Sequence, residues 1–104
     1  MLDGIHNIHL IGIAGSGMRA IANILISQGF AVSGSDIKES AVTERFRKMG
    51  AVIHIGHNGA YVKGADAVVR STAIHDDNPE LVAAREAGIP ILHRSDIVKA
   101  VLDV

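Results

Sequence analysis

Three stretches of this chain share one grammar. ISQGFAVSG, FRKMGAVIHIG and AREAGIPILHR each run from the end of a helical pattern through a glycine (Gly29, Gly50, Gly88) into a short β-prone segment. A helix that ends on glycine and passes directly into a strand, three times over, requires parallel pairing, because parallel strands are joined by crossovers and not by hairpins. An apolar run through Ile5, Ile8, Leu10, Ile11 and Ile13 adds a first strand of the kind buried on both faces, and Ala67-Val68-Val69 adds another. The expected fold is α/β: a Rossmann-like, doubly wound, mainly parallel five-stranded sheet with flanking helices. Its strands fall near residues 6–12, 31–35, 52–55, 66–70 and 90–93.

The helices follow from spacing and caps. Met18, Ile21, Ala22 and Leu25 recur at i, i+3, i+4 and i+7, so a first helix presents them to the core and Gly29 ends it in the left-handed conformation. Ser40 caps a second helix with an inner face of Val42, Phe46 and Met49. Asn78-Pro79-Glu80 supplies a cap, a first-turn proline and an acid at the positive end of a third. The 57–64 connection is too short and too Gly-rich for a full helix. The segment from Ser95 to Val104 is expected to be a capped helix that stops without a C-terminal glycine or polar tail, as if cut at a domain edge.

With 104 residues there is room for one domain and one core. The 10 basic and 11 acidic side chains nearly cancel and neither sign runs in blocks, which argues against a general nucleic-acid or membrane-surface binder. Without cysteine there is no disulfide, thiolate metal site or cysteine nucleophile; without a signal-like N-terminus or a long apolar run, the expectation is a soluble, unprocessed, cytoplasmic domain.

In a doubly wound sheet, ligands sit beyond the carboxyl ends of the strands. After the first strand comes Gly12-Ile13-Ala14-Gly15-Ser16-Gly17, opening the first helix. It matches G-x-G-x-x-G at Gly12 and Gly17 but has Ala14 in the middle, with Gly15 one place later to restore freedom. N–H groups at Ser16, Gly17 and Met18 are expected to be free for a phosphate, aided by the helix dipole and the Ser16 hydroxyl. The competing reading is a tight turn that only lets helix and sheet pack. Asp36, 19 residues after Gly17 at the end of strand two, is placed to accept from a ribose, as in NAD sites, or else simply ends the strand in an Asx turn.

Two further strand ends are polar: Ile55-Gly56-His57-Asn58, and Arg70-Ser71-Thr72-Ala73-Ile74 followed by His75-Asp76-Asp77. Asp76 and Asp77 read most simply as charge at a helix start. His54 and His57, three apart, fall on opposite faces of a strand, so no metal site is expected. No nucleophile–base set or paired carboxylates appear, so no catalytic residue is expected either.

Together these segments resemble the N-terminal domain of the Mur ligases. The likeness rests on His9-Leu10-Ile11-Gly12-Ile13-Ala14-Gly15-Ser16-Gly17-Met18, Val32-Ser33-Gly34-Ser35-Asp36, Gly56-His57, and Ser71-Thr72-Ala73-Ile74 with Asp77-Asn78-Pro79-Glu80. The chain departs from the family pattern at Ala14, usually glycine, and at Arg70, usually apolar; Arg70 either faces the crevice or lies at the strand's solvent end. The resemblance implies a UDP-sugar site in residues 1–104. Gly15, Ser16, Gly17 and Met18 would hold the diphosphate, Asp36, Ile37 and His57 would lie toward uridine, and Ser71, Thr72 and Ala73 would line the pocket. It further implies ATP-dependent joining of L-alanine to UDP-N-acetylmuramate through an acyl phosphate. ATP and Mg²⁺ would be held by central and C-terminal domains outside these residues, since no G-x-x-x-x-G-K-[ST] occurs here. By itself this piece is expected to be inactive. The alternative class is an NAD(P)-binding oxidoreductase or sensor domain, which accounts for the loop and Asp36 but not for the later segments.

Overall fold

A computed structural model describes residues 2–102. Five parallel strands, β1 (Asn7–Ile11), β2 (Ala31–Asp36), β3 (Val52–Ile55), β4 (Ala67–Arg70) and β5 (Ile91–His93), form one sheet in the order β3-β2-β1-β4-β5. Between and after them lie α1 (Ser16–Ser27), α2 (Ala41–Lys48), α3 (Pro79–Ala87) and α4 (Arg94–Leu102). The chain steps outward from β1 to β3, then returns to start again at β4 on the other side of β1. That reversal opens a crevice between the carboxyl ends of β1 and β4.

The three glycine joints have the geometry their sequence implies: Gly29, Gly50 and Gly88 adopt φ of +92°, +103° and +70°, a region closed to most side chains. Met18, Ile21, Ala22 and Leu25 are the buried face of α1. They join Ile8, Leu10, Val32, Phe46, Ile53 and Ile97 in the larger core, beneath α1, α2 and α4. On the opposite face Ile11, Val68, Leu81, Ala84 and Val62 close a smaller core under α3. The 57–64 connection holds only a short 3₁₀ turn, Gly59–Val62, capped by the Asn58 side chain.

Two details differ from expectation. Met49 is not on the inner face of α2 but beyond its end and 40% exposed, while Thr43 is buried there because its hydroxyl completes a reciprocal capping box with Ser40. The last helix starts at Arg94, not after a Ser95 cap. Ser95 Oγ lies 2.9 Å from His93 Nδ1, and the Asp96 carboxylate reaches back to accept from His93 N at 3.0 Å. The expected helix end at residues 103–104 lies outside the described residues.

Candidate functional site

The end of β2 builds the mouth of the crevice. Ser35 O accepts from both Gly12 N (2.8 Å) and Ile13 N (3.0 Å), and Asp36 Oδ2 accepts from Ala14 N at 3.0 Å, so the glycine loop is laced to the neighbouring strand. Gly12 takes φ +74°, and a Cβ there would come within 3.3 Å of Ile74 Cδ1. The loop then enters α1 at Gly15, the N-cap residue, with no side-chain cap and no acid in the first turn.

A helix start without a cap leaves backbone donors unclaimed. Gly15 N donates to Gly12 O at 2.9 Å. Met18 N, expected to be free, instead donates to Gly15 O at 3.0 Å, because the first turn tightens into an i to i+3 bond. The N–H groups of Ser16 and Gly17 have no backbone partner among the described residues. Beside them lies a cation that sequence reasoning missed: Arg94, at the start of α4, packs so closely that a Cβ on Gly17 would sit 2.9 Å from its Nε. No carboxylate among the described residues pairs with it. Its closeness depends on α4 packing against α1, a tertiary fact with no local signal.

These groups open onto a cavity of about 730 Å³. Gly15, Ser16, Gly17 and Met18 line one end, Asp36, Ile37 and His57 another side, and Ser71, Thr72 and Ala73 the lip beyond β4, with Arg94 among them. All ten residues singled out in the sequence therefore face one space. Asp36 serves as a clasp as well as a wall, since Oδ1 accepts from Ile37 N at 2.8 Å while Oδ2 holds the loop. Each oxygen keeps a second lone pair for a ligand. Ile37, 73% exposed, offers an apolar surface at the rim.

Arg70 neither faces the crevice nor hangs in solvent. Its guanidinium donates to Asp76 Oδ1 at 2.5 Å, to Ile74 O, and to Ser71 O at 3.3 Å, bracing the lip loop from behind. The Asp76 carboxyl is thereby lowered from its ordinary value, first by that hydrogen bond and then by the arginine's charge. His54 stacks on Tyr61 with ring centroids 4.0 Å apart.

Glu80, expected only as an acid at the positive end of α3, is fully buried. Its Oε1 meets His9 Nε2 at 2.5 Å and Ser35 Oγ at 2.7 Å, and its Oε2 meets His57 Nδ1 at 2.5 Å. His9 Nδ1 in turn lies 2.8 Å from Ser33 Oγ. Burial would push the Glu80 carboxyl up, but hydrogen bonds from His9, Ser35 and His57 outweigh it and hold it below its ordinary value. The register pairs His9 with Ser33 and Ile11 with Ser35, so the polar side chains of β1 and β2 share the face under α3. A signal was present: three polar residues inside strands buried on both faces must find partners.

A loop that offers amides and a cation at one end, and acceptors at the other, has the chemistry that would suit an anionic ligand at the carboxyl edge of a Rossmann-like sheet. Residues 7–103 match the family model described as Mur ligase family, catalytic domain, and the chain belongs to that family. It is similar to the UDP-N-acetylmuramate–L-alanine ligase of Roseiflexus sp. (strain RS-1), 55% identical over 89 residues, covering 86% of this chain and 19% of that protein. The ligase of the same name from Nitratidesulfovibrio vulgaris (strain DP4) is 50% identical over 98 residues, covering 94% and 22%. The crystal structure of UDP-N-acetylmuramate-alanine ligase from Thermotoga maritima superposes with a TM-score of 0.87 at 38% identity, covering 93% of this chain and 23% of that one. The chain thus spans about a fifth of the length of the curated relatives it matches. The family match runs through the later strand ends, which an oxidoreductase reading leaves unexplained.

Proposed function

We propose that this chain is the nucleotide-sugar-binding domain of an ATP-dependent ligase that joins L-alanine to UDP-N-acetylmuramate in cytoplasmic peptidoglycan synthesis. The observation that carries the reading is the convergence of the uncapped start of α1, Asp36, His57 and the lip after β4 on one cavity at the β1–β4 reversal. The diphosphate lies against the N–H groups of Ser16 and Gly17 and the guanidinium of Arg94, where amides, dipole and charge act on one anion. Asp36 and His57 then face the nucleoside, with Ile37 as an apolar surface beside the base. Ser71, Thr72 and Ala73 close the opposite wall.

The chemistry of amide formation needs groups this chain does not carry. The muramoyl carboxylate takes a phosphoryl group from ATP, and the amine of L-alanine then displaces phosphate. The glycine loop has no lysine and no G-K-[ST], so it does not fit the ATP and Mg²⁺ site, which belongs to further domains. This domain contributes binding and orientation, and it is inactive by itself.

A ¹H–¹⁵N titration of the chain with UDP-N-acetylmuramate, UDP and NAD at millimolar concentration tests the reading. Shifts at Gly15–Met18, Asp36 and His57 with both UDP ligands and not with NAD are expected. Saturable binding of NAD alone would return the domain to the oxidoreductase class.

A further inference from the structure

Glu80 contributes nothing to the cavity wall directly, yet three side chains spend hydrogen bonds on it. An ionised carboxylate only accepts. Each ring nitrogen 2.5 Å from it must therefore carry the proton: Nε2 of His9 and Nδ1 of His57. His9 is fully buried and its Nδ1 meets Ser33 Oγ, so it anchors the carboxylate from below. His57 is different, because its ring lines the cavity and its other nitrogen has no partner among the described residues.

We propose that Glu80 is a positioning residue that holds His57 in its Nδ1–H tautomer, so that Nε2 enters the cavity as a hydrogen-bond acceptor for an N–H or O–H donor of the bound nucleotide. This rests on the nucleotide-sugar reading and deepens it. The cavity is polarised: amides and Arg94 present donors at the α1 end, and His57 presents a lone pair at the other. A phosphate oxygen is welcome at the first place and repelled at the second. A ligand with an anionic end and a donor-bearing end, the imide N–H of a pyrimidine or a ribose hydroxyl, can bind in one direction only.

Glu80→Gln tests this by inversion. Its amide oxygen can keep the donors His9 and Ser35, while its NH₂ faces His57 Nδ1, moves the ring proton to Nε2 and turns the acceptor into a donor. At pH 8, where an ordinary imidazole is neutral, long-range ¹H–¹⁵N correlation of the histidine rings should show His57 protonated on Nδ1 in the parent and on Nε2 in the variant. UDP binding should weaken about tenfold, whereas inorganic pyrophosphate binding should change less than about twofold. Parent titrations with N3-methyl-UDP and 2′,3′-dideoxy-UDP identify the donor; if neither binds more weakly than UDP, the inference fails. It also fails if the parent ring is protonated on Nε2, or if UDP and pyrophosphate lose affinity equally. Should the Gln variant not fold, the parent ring still decides the tautomer, and His57→Ala must lose UDP selectively over pyrophosphate. A parent chain that binds neither ligand sinks the nucleotide-sugar reading and the acceptor's role with it, whereas a wrong tautomer sinks this inference alone.

Discussion

Two of the three helices that begin at the crevice, α1 and α3, begin in opposite ways. α3 opens with its cap filled: Asn78 Oδ1 accepts from Glu80 N at 2.9 Å, Pro79 has no N–H to satisfy, and the Glu80 side chain turns inward to the two histidines. α1 opens with glycine at the cap position, no side-chain acceptor and no acid in its first turn. Both carry the same partial positive charge. One spends it on the protein's own groups, and the other holds it out to a ligand. The lesson is that a helix start left uncapped beside a strand end is as informative as any motif, since a fold has every reason to cap a helix that serves only itself.

The largest effect should come from breaking the capped end. Glu80→Leu leaves His9 Nε2 buried without an acceptor and takes from the Ser35 hydroxyl its 2.7 Å bond, and should cost about 3 kcal/mol of unfolding free energy, measured by urea denaturation at pH 7. Acid should narrow that cost. The Glu80 carboxyl is depressed in the fold, so it contributes stability that is present above the unfolded value of about 4.3 and lost as pH falls through the lower folded value. The gap between parent and Glu80→Leu should therefore shrink between pH 5 and the acid limit. A gap that grew with acid would contradict the ionised carboxylate.

Filling the open end should separate stability from binding. Ser16→Asp places an acid in the first turn of α1, where it should raise stability by about 0.3–1 kcal/mol. The same carboxylate faces the diphosphate and neutralises Arg94, so UDP affinity should fall more than about tenfold, some 1.4 kcal/mol. A variant that gained stability and kept its affinity would show that the ligand does not use this helix start. Arg94→Ala should weaken UDP about five- to tenfold by calorimetry with stability within about 0.5 kcal/mol of the parent. Arg94→Lys should recover only part of the loss, because an ammonium lacks the planar fork.

How much of this was legible differs between the same two regions. The uncapped loop could be read from local order alone, because a strand, three glycines and the Met18, Ile21, Ala22, Leu25 face are consecutive in the chain. The glycine joints likewise dictated parallel pairing and, through it, which loops meet. What escaped depends on distant segments arriving together. Arg94 reaches Gly17 only because α4 packs back against α1, and Glu80 becomes a buried hub, beyond an acid at a helix start, only because His9, Ser35 and His57 share its face of the sheet. Met18 N was lost to a tightening of the first turn, which no residue type announces.

The smallest expected effect belongs to a helix that takes no part in the crevice. α2 starts with a full capping box: Ser40 Oγ accepts from Thr43 N at 3.3 Å, and Thr43 Oγ1 accepts from Ser40 N at 2.9 Å. Ser40→Ala removes one half of that exchange and should cost about 1 kcal/mol, read from the denaturation midpoint. Thr43 is buried against the core and keeps its bond to the Ser40 amide, so the helix should stay in place and UDP affinity should not change. If affinity fell as well, capping at α2 would be coupled to the site through β2 and Asp36, and the division between helices that serve the fold and the helix that serves the ligand would have to be redrawn.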